Sequence, residues 1–148
     1  MRGKSSTPRV KTRGMGDDKL VGGTYHVWFG TKRRRWLMLG EIGEVARTLL
    51  MDTAREKGIA LLGCQTIVDH VHMLVVSESA AELSWALKLL KGRSSYELSQ
   101  RYPDLKFDGR VRSIWQRGFA GWLVAPERVE IVRRYIQTQD QRLASYER

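Results

Sequence analysis

The chain has 148 residues, 42% of them hydrophobic, with 26 Lys and Arg against 16 Asp and Glu, a net charge of +10 and a pI near 10.2. That length suits one domain with a sizeable core, and the apolar content excludes a disordered polycation. A single cysteine, Cys64, excludes an internal disulfide and a zinc framework of paired cysteines. No apolar run approaches the ~20 residues of a membrane-spanning helix, and no apolar stretch follows the basic N-terminus. A cytoplasmic chain with a polyanionic partner and no membrane is therefore expected.

Residues 1–20 carry a charge of +4, lack hydrophobic periodicity and are rich in Gly, Ser, Lys and Arg. They read as a flexible basic extension ahead of one catalytic-sized domain at 21–148. From Thr24, the apolar residues Tyr25, Val27 and Phe29 alternate with His26 and Trp28, predicting a strand that ends at Gly30. The run Lys32-Arg33-Arg34-Arg35 follows and supplies the whole +4 of residues 21–40. Gly40–Lys57 predicts a helix, because Ile42, Val45, Ala46, Leu49, Leu50 and Thr53 recur at helical spacing and Gly58 stops it. Ile59–Val68 and His70–Val76 predict two more strands with Asp69 between them, and residues 41–87 carry −4.

Ser79–Arg101 predicts a long helix bearing Leu83, Leu87, Leu90 and Leu98 and closed by Pro103. Gly92 lies inside it at a cost of about 1 kcal/mol relative to Ala, which implies a local reason for a glycine there. Residues 88–117 carry +5 and residues 118–148 carry +1. Val111–Trp115 and Trp122–Val124 predict short β segments. Pro126 then opens a last helix through Leu143, with Val129, Val132, Tyr135, Ile136 and Gln139 on overlapping faces. The resulting β-α-β-β-α-β order predicts an α+β, ferredoxin-like fold: an antiparallel sheet with helices on one face, plus a C-terminal helix that bears Tyr135. RNA-recognition modules share this RRM-like arrangement, so the fold leaves function open.

Within Asp69-His70-Val71-His72-Met73-Leu74-Val75, strand alternation sends His70 and His72 to one face, ~6.6–6.8 Å apart along the backbone, and Val71, Met73 and Val75 to the other. The two imidazoles can converge on one cation and leave positions open for substrate, or they can be hydrogen-bonded at the edge of a core. His26 is the third histidine of the chain. In the last helix, Tyr135 and Gln139 are four apart and share a face. A tyrosine hydroxyl can attack phosphorus, helped at neutral pH by a metal that polarises the phosphate, and a glutamine beside it can donate an oxygen ligand. The same spacing also fits Tyr135 as the edge of a core stripe formed by Val129, Val132 and Ile136.

The blocks VDHVHMLV (Val68 to Val75), LKLLKGRSSYEL (Leu87 to Leu98), IWQRGF (Ile114 to Phe119) and VRRYIQTQ (Val132 to Gln139) occur in this order. Together they resemble the single-tyrosine HUH transposases of small bacterial insertion sequences, the IS200-like and REP-associated tyrosine transposases. The resemblance runs from about Thr24 to Arg142, and it is the combination of His-hydrophobe-His, Gly-Arg-Ser-Ser and Tyr-x-x-x-Gln that makes it specific. It implies a transposase that cleaves and rejoins single-stranded DNA at hairpin-containing ends. His70, His72 and Gln139 would hold Mg²⁺ or Mn²⁺, and Tyr135 would form a 5′-phosphotyrosine intermediate that needs no nucleotide cofactor. It further implies DNA contacts from Arg33, Arg34, Arg35, Lys91, Arg93, Ser94 and Ser95, and a homodimer. Trp115 and Trp122 have two readings, stacking on bases or packing in the sheet.

The segment Gly118 to Val124 departs from the usual run before the tyrosine helix, the chain stops nine residues after Gln139, and the basic extension is not a general family feature. These departures leave open a domesticated or REP-associated enzyme. A non-catalytic RRM-like module for single-stranded nucleic acid is the main alternative, and a hydrolytic metallo-phosphodiesterase a third.

Overall fold

The computed structural model describes residues 9–11, 22–105 and 113–146. Its first element, β1 (Arg9–Lys11), pairs in parallel with the strand at Ala120–Val124. Part of the segment read as a flexible extension therefore lengthens the sheet. Backbone pairing needs no apolar side chains, which is why the hydrophobic pattern gave no sign of it. The remainder of residues 1–20 lies outside the described residues.

In β2 (Gly23–Gly30), Tyr25, Val27 and Phe29 are buried while the intervening side chains occupy the opposite face. The helix α1 (Gly40–Lys57) follows, turned back toward the sheet by Gly58, which adopts φ 71° and donates its N–H to the last carbonyls. Its buried side is Ala46, Leu49, Leu50 and Ala54. Gly43 brings α1 against the preceding loop, where any Cβ would collide with the Met38 carbonyl. The strands β3 (Ala60–Ile67) and β4 (His70–Ser77) form the next hairpin, with Cys64, Val71, Met73 and Val75 in the core. Burial pushes the Cys64 thiol up to about 12, so it acts as a small apolar filler.

The helix α2 (Ala80–Arg101) is capped by Ser79, whose Oγ accepts from Glu82 N, while Glu82 Oε1 accepts from Glu78 N. Leu83, Leu87, Leu90 and Leu98 join the α1 leucines against the sheet. The helix passes unbroken through Gly92, and a Cβ there would meet nothing within 4 Å. The local reason inferred for this glycine is thus absent from the packing. Gly92→Ala should raise stability by about 0.5–1 kcal/mol, read as a higher urea midpoint with an unchanged slope.

Residues 111–112 of the expected β segment lie outside the described residues, and Trp115 forms one antiparallel bridge with Thr31. The strand β5 (Ala120–Val124) then pairs with β2, and the helix α3 (Val129–Tyr146) closes the described chain. The four long strands are antiparallel in the order β5-β2-β4-β3, the arrangement of the ferredoxin-like α+β fold. The helices α1 and α2 cover the face built from Tyr25, Val27, Phe29, Val71, Met73 and Val75. The helix α3 lies over the other face, against β3 and β4. Among the described residues no helix is long and apolar enough to cross a membrane.

Candidate active site

The face under α3 is set by strand register. Gly30 pairs with His70, Trp28 with His72 and His26 with Leu74, while Gln65 pairs with His72 across β3 and Trp122 with His26 across β5. Cross-strand partners share a face, so His26, Trp28, Gln65, His70, His72 and Trp122 project together. The His70 and His72 rings meet edge to face with centroids 4.8 Å apart. Above them, the Tyr135 ring of α3 stands 6.4 Å from the His72 ring, and Gln65 Nε2 donates to the Gln137 carbonyl at 3.3 Å. Tyr135 is 42% exposed, whereas its neighbour Ile136 is fully buried, so the core stripe runs through Ile136 and leaves Tyr135 at the mouth of the site.

Each histidine is held through Nδ1. Asp69 Oδ1 accepts from His70 Nδ1 at 2.8 Å, and Asp69 Oδ2 accepts from Arg34 Nε at 3.1 Å and forms an ion pair with its Nη2 at 3.0 Å. The Arg34 guanidinium sits 4.8 Å from the Trp28 ring centre, and Trp28 stacks on His70 at 5.5 Å. Arg34, Asp69, His70 and Trp28 thus close a ring of contacts. Burial opposes ionisation of Asp69, but the hydrogen bonds from His70 and Arg34 outweigh it and hold the carboxyl below its usual range. The corresponding partner of His72 is His26, whose Nε2 lies 3.0 Å from His72 Nδ1. Neither Asp69 nor His26 is among the site residues read from the sequence: Asp69 adjoins His70 in the chain but its contact with Arg34 does not show there, and only strand pairing brings His26 to His72.

Burial pushes the His72 pKa down to about 3, with the charges of His70 and His26 adding to the effect, and burial lowers His26 as well. Both bind protons more weakly folded than unfolded, so the unfolded chain takes up the excess protons as the pH falls below ~6.5. Stability is therefore full above that pH and declines toward about 3, with a total cost on the order of a few kcal/mol for the metal-free protein. Urea unfolding in chelator at pH ~7.5 and ~5 should show the loss, and His72→Gln should flatten it. An equally steep loss in that variant would assign the acid sensitivity to other groups.

The basic run after β2 forms a 3₁₀ turn in which Arg33 and Arg34 both adopt left-handed backbone, φ 60° and 53°. Two such residues in succession are costly without glycine, and the turn is held by its surroundings. Thr31 N donates to the Asp69 carbonyl at 2.9 Å, Thr31 Oγ1 to the Arg35 carbonyl at 2.7 Å, and Lys32 N to the Ile114 carbonyl at 2.8 Å. Of the three arginines, Arg33 is exposed, Arg34 is engaged with Asp69 and Trp28, and Arg35 is half-buried with Nη1 donating to the Leu105 carbonyl.

The Gly-Arg-Ser-Ser block takes a different position from the one expected of DNA contacts. Ser94 and Ser95 are 0% and 3% exposed. Ser94 Oγ accepts from the Trp115 indole at 2.9 Å, and Ser95 Oγ accepts from Ile114 N at 3.1 Å. Lys91 Nζ donates to the Gln116 and Gly118 carbonyls, both at 2.6 Å, and burial followed by the Lys32 charge pulls its pKa down to about 8. These three side chains fasten residues 113–118 to α2, and that segment in turn carries the basic turn. Arg93 reaches outward, and its Nε donates to Glu97. Trp115 is in the core against Phe29, and Trp122 stands 6.1 Å from His26 on the site face.

The described residues contain no cluster of three His, Cys, Asp or Glu side chains able to hold a metal. A cation at His70 and His72 therefore needs a donor of another type. Gln139 lies one turn beyond Tyr135, and its buried amide nitrogen has no hydrogen-bond partner among the described residues. With Nδ1 of both histidines already engaged, their Nε2 atoms are the ring nitrogens that could hold a small divalent ion, and Gln139 could add only its amide oxygen.

A profile of the family described as "Transposase IS200 like" matches residues 19–139. The transposase of insertion sequence element IS200 from Salmonella typhimurium is 34% identical over 110 residues, covering 71% of this chain and 72% of that protein. The ISDra2 transposase TnpA of Deinococcus radiodurans is 25% identical over 115 residues, covering 78% and 82%. Among solved structures, a protein assigned as a transposase in Deinococcus radiodurans superposes with a TM-score of 0.64 at 24% identity, over 86% of this chain and 96% of that one. A REP-associated tyrosine transposase bound to a REP hairpin gives a TM-score of 0.59 at 15% identity, over 81% and 67%. Those two likenesses bear on the fold, while the profile reaches through the histidine strand to the tyrosine helix and the Salmonella relative shares more than 30% identity: the chain belongs to the IS200-like transposase family.

Proposed function

We propose that this transposase cleaves and rejoins single-stranded DNA at hairpin-containing ends, with Tyr135 as covalent nucleophile. The observation that supports it best is the position of Tyr135 beside His72, on the face that also carries His70. The Tyr135 hydroxyl oxygen attacks the scissile phosphorus, the P–O3′ bond breaks, and one strand leaves with a free 3′-hydroxyl while the 5′-phosphate stays on the tyrosine. The phosphotyrosine conserves the bond energy, so a second 3′-hydroxyl can reverse the reaction and join strands without a nucleotide cofactor.

His70 and His72 through Nε2, with Gln139, are the residues proposed to hold Mg²⁺ or Mn²⁺; imidazole donors suit Mn²⁺ and oxygen donors suit both. When bound, such a cation polarises the phosphate. Asp69 and Arg34 keep the His70 ring in place, and the exposed Arg33 on the strained turn is positioned to meet backbone phosphates, with Arg93 further along α2. One structural neighbour is a tyrosine transposase bound to a hairpin, and the same class of DNA end is proposed for this chain, acting as a homodimer in the cytoplasm.

The test is incubation with single-stranded DNA carrying a hairpin and its flank, with Mn²⁺ or with chelator, followed by a denaturing gel. A protein–DNA adduct that survives denaturant and requires metal is expected. Cleavage without an adduct would point to hydrolysis, and binding with neither to a recognition module of the RRM type.

A further inference from the structure

We infer that His26 is a positioning residue of the metal site, one that sets the tautomer of His72. The two proposed ligands have chemically different partners. His70 faces the Asp69 carboxylate, which when ionised can only accept, so His70 must carry its proton on Nδ1 and present the Nε2 lone pair. His72 faces another imidazole. The 3.0 Å separation of His26 Nε2 and His72 Nδ1 is a hydrogen bond that either ring can donate. If His26 donates, His72 is protonated on Nε2 and cannot ligate through it. If His26 accepts, His72 carries the proton on Nδ1 and matches His70. Only the second arrangement gives two Nε2 lone pairs on the same face, so His26 acts as the acceptor and itself carries its proton on Nδ1.

The fold places His26 for this task. It pairs directly with Leu74, one position beyond His72 on the same face of β4, so its ring reaches the diagonal neighbour, with centroids 5.2 Å apart. Trp28 makes the same diagonal approach one step along, stacking on His70. On its far side His26 packs toward Trp122 of β5, which limits the ring to the His72 direction. Partners of metal-ligating histidines that fix ring orientation typically change metal affinity by about 10–100-fold when removed.

This inference rests on the proposed metal site, and its experiment separates the two. In the metal-free wild type, long-range nitrogen–proton NMR should find the His72 proton on Nδ1; a proton on Nε2 overturns the inference whatever the protein's activity. Mn²⁺ titrations by calorimetry should show His26→Leu binding about 10–100-fold more weakly than wild type, with His26→Gln, whose amide oxygen can accept in the same place, recovering most of the loss. Equal losses in the Leu and Gln variants, with the His72 proton unmoved in both, would make His26 a direct ligand or a packing residue and overturn the assignment. His72→Ala with wild-type affinity overturns the metal site itself. His26→Leu with wild-type affinity, where His72→Ala binds poorly, overturns only the role of His26.

Discussion

Replacing Tyr135 with phenylalanine is expected to abolish the covalent protein–DNA adduct, with strand cleavage falling by at least about 10³-fold, while DNA binding and stability stay near wild type. The substitution removes the one oxygen proposed to form the bond to phosphorus and leaves the ring beside His72. Tyr135 is largely at the surface, and its backbone carbonyl still accepts from Thr138 Oγ1, so the helix keeps its local bonds. Exposed substitutions of this kind usually change stability by less than about 0.5 kcal/mol. The measurement is a denaturing gel beside a binding isotherm on the same hairpin DNA. An adduct that persists in the variant would move the nucleophile to another exposed tyrosine, with Tyr96 of α2 the first to examine.

Trp115→Ala should produce the largest loss of stability, about 3–5 kcal/mol. Trp115 is 1% exposed and meets Phe29 edge to face at 5.0 Å. Its indole N–H is donated to Ser94, and its backbone bridges to Thr31. Truncation empties that space and removes the donor that Ser94 Oγ accepts from inside the protein. Against a total of about 5–15 kcal/mol for an ordinary domain, the loss is a large fraction. Trp115→Phe keeps most of the volume and should cost about 1–2 kcal/mol, chiefly through the lost hydrogen bond. The basic turn hangs from residue 114 through Lys32, so DNA binding should weaken in the Ala variant at temperatures where it is still folded. Urea unfolding decides the matter: a loss under about 1 kcal/mol for Trp115→Ala would mean that this segment does not belong to the core.

The helix read at Gly40–Lys57 has those bounds in the structure, and the strands at Gly23–Gly30, Ala60–Ile67 and His70–Ser77 lie within one residue of their expected ends. Apolar periodicity is a local property, and it sufficed there because each element buries one face. The resemblance implies DNA contacts from Lys91, Arg93, Ser94 and Ser95, whereas α2 turns Lys91, Ser94 and Ser95 inward, where they satisfy the backbone and side chains of residues 113–118, and leaves Arg93 outward. Which side of a helix meets the core depends on what packs there, and the carbonyls of a returning loop are not visible from the helix's own sequence.

For the site, the sequence by itself determined which side chains share a face: alternation put His70 and His72 on one side of a strand, and helical spacing put Tyr135 and Gln139 on one side of a helix. Only the tertiary structure decided that Tyr135 stands against His72, and that Arg34, Trp28 and His26 stand behind the histidines. The physical reason is separation along the chain. His26 and His72 are 46 residues apart, and their hydrogen bond exists because antiparallel register sets His26 opposite Leu74. That register is chosen by the burial of Tyr25, Val27, Phe29, Val71, Met73 and Val75 on the far side of the sheet. The apolar face, packed against α1 and α2, thereby sets the geometry of the polar one.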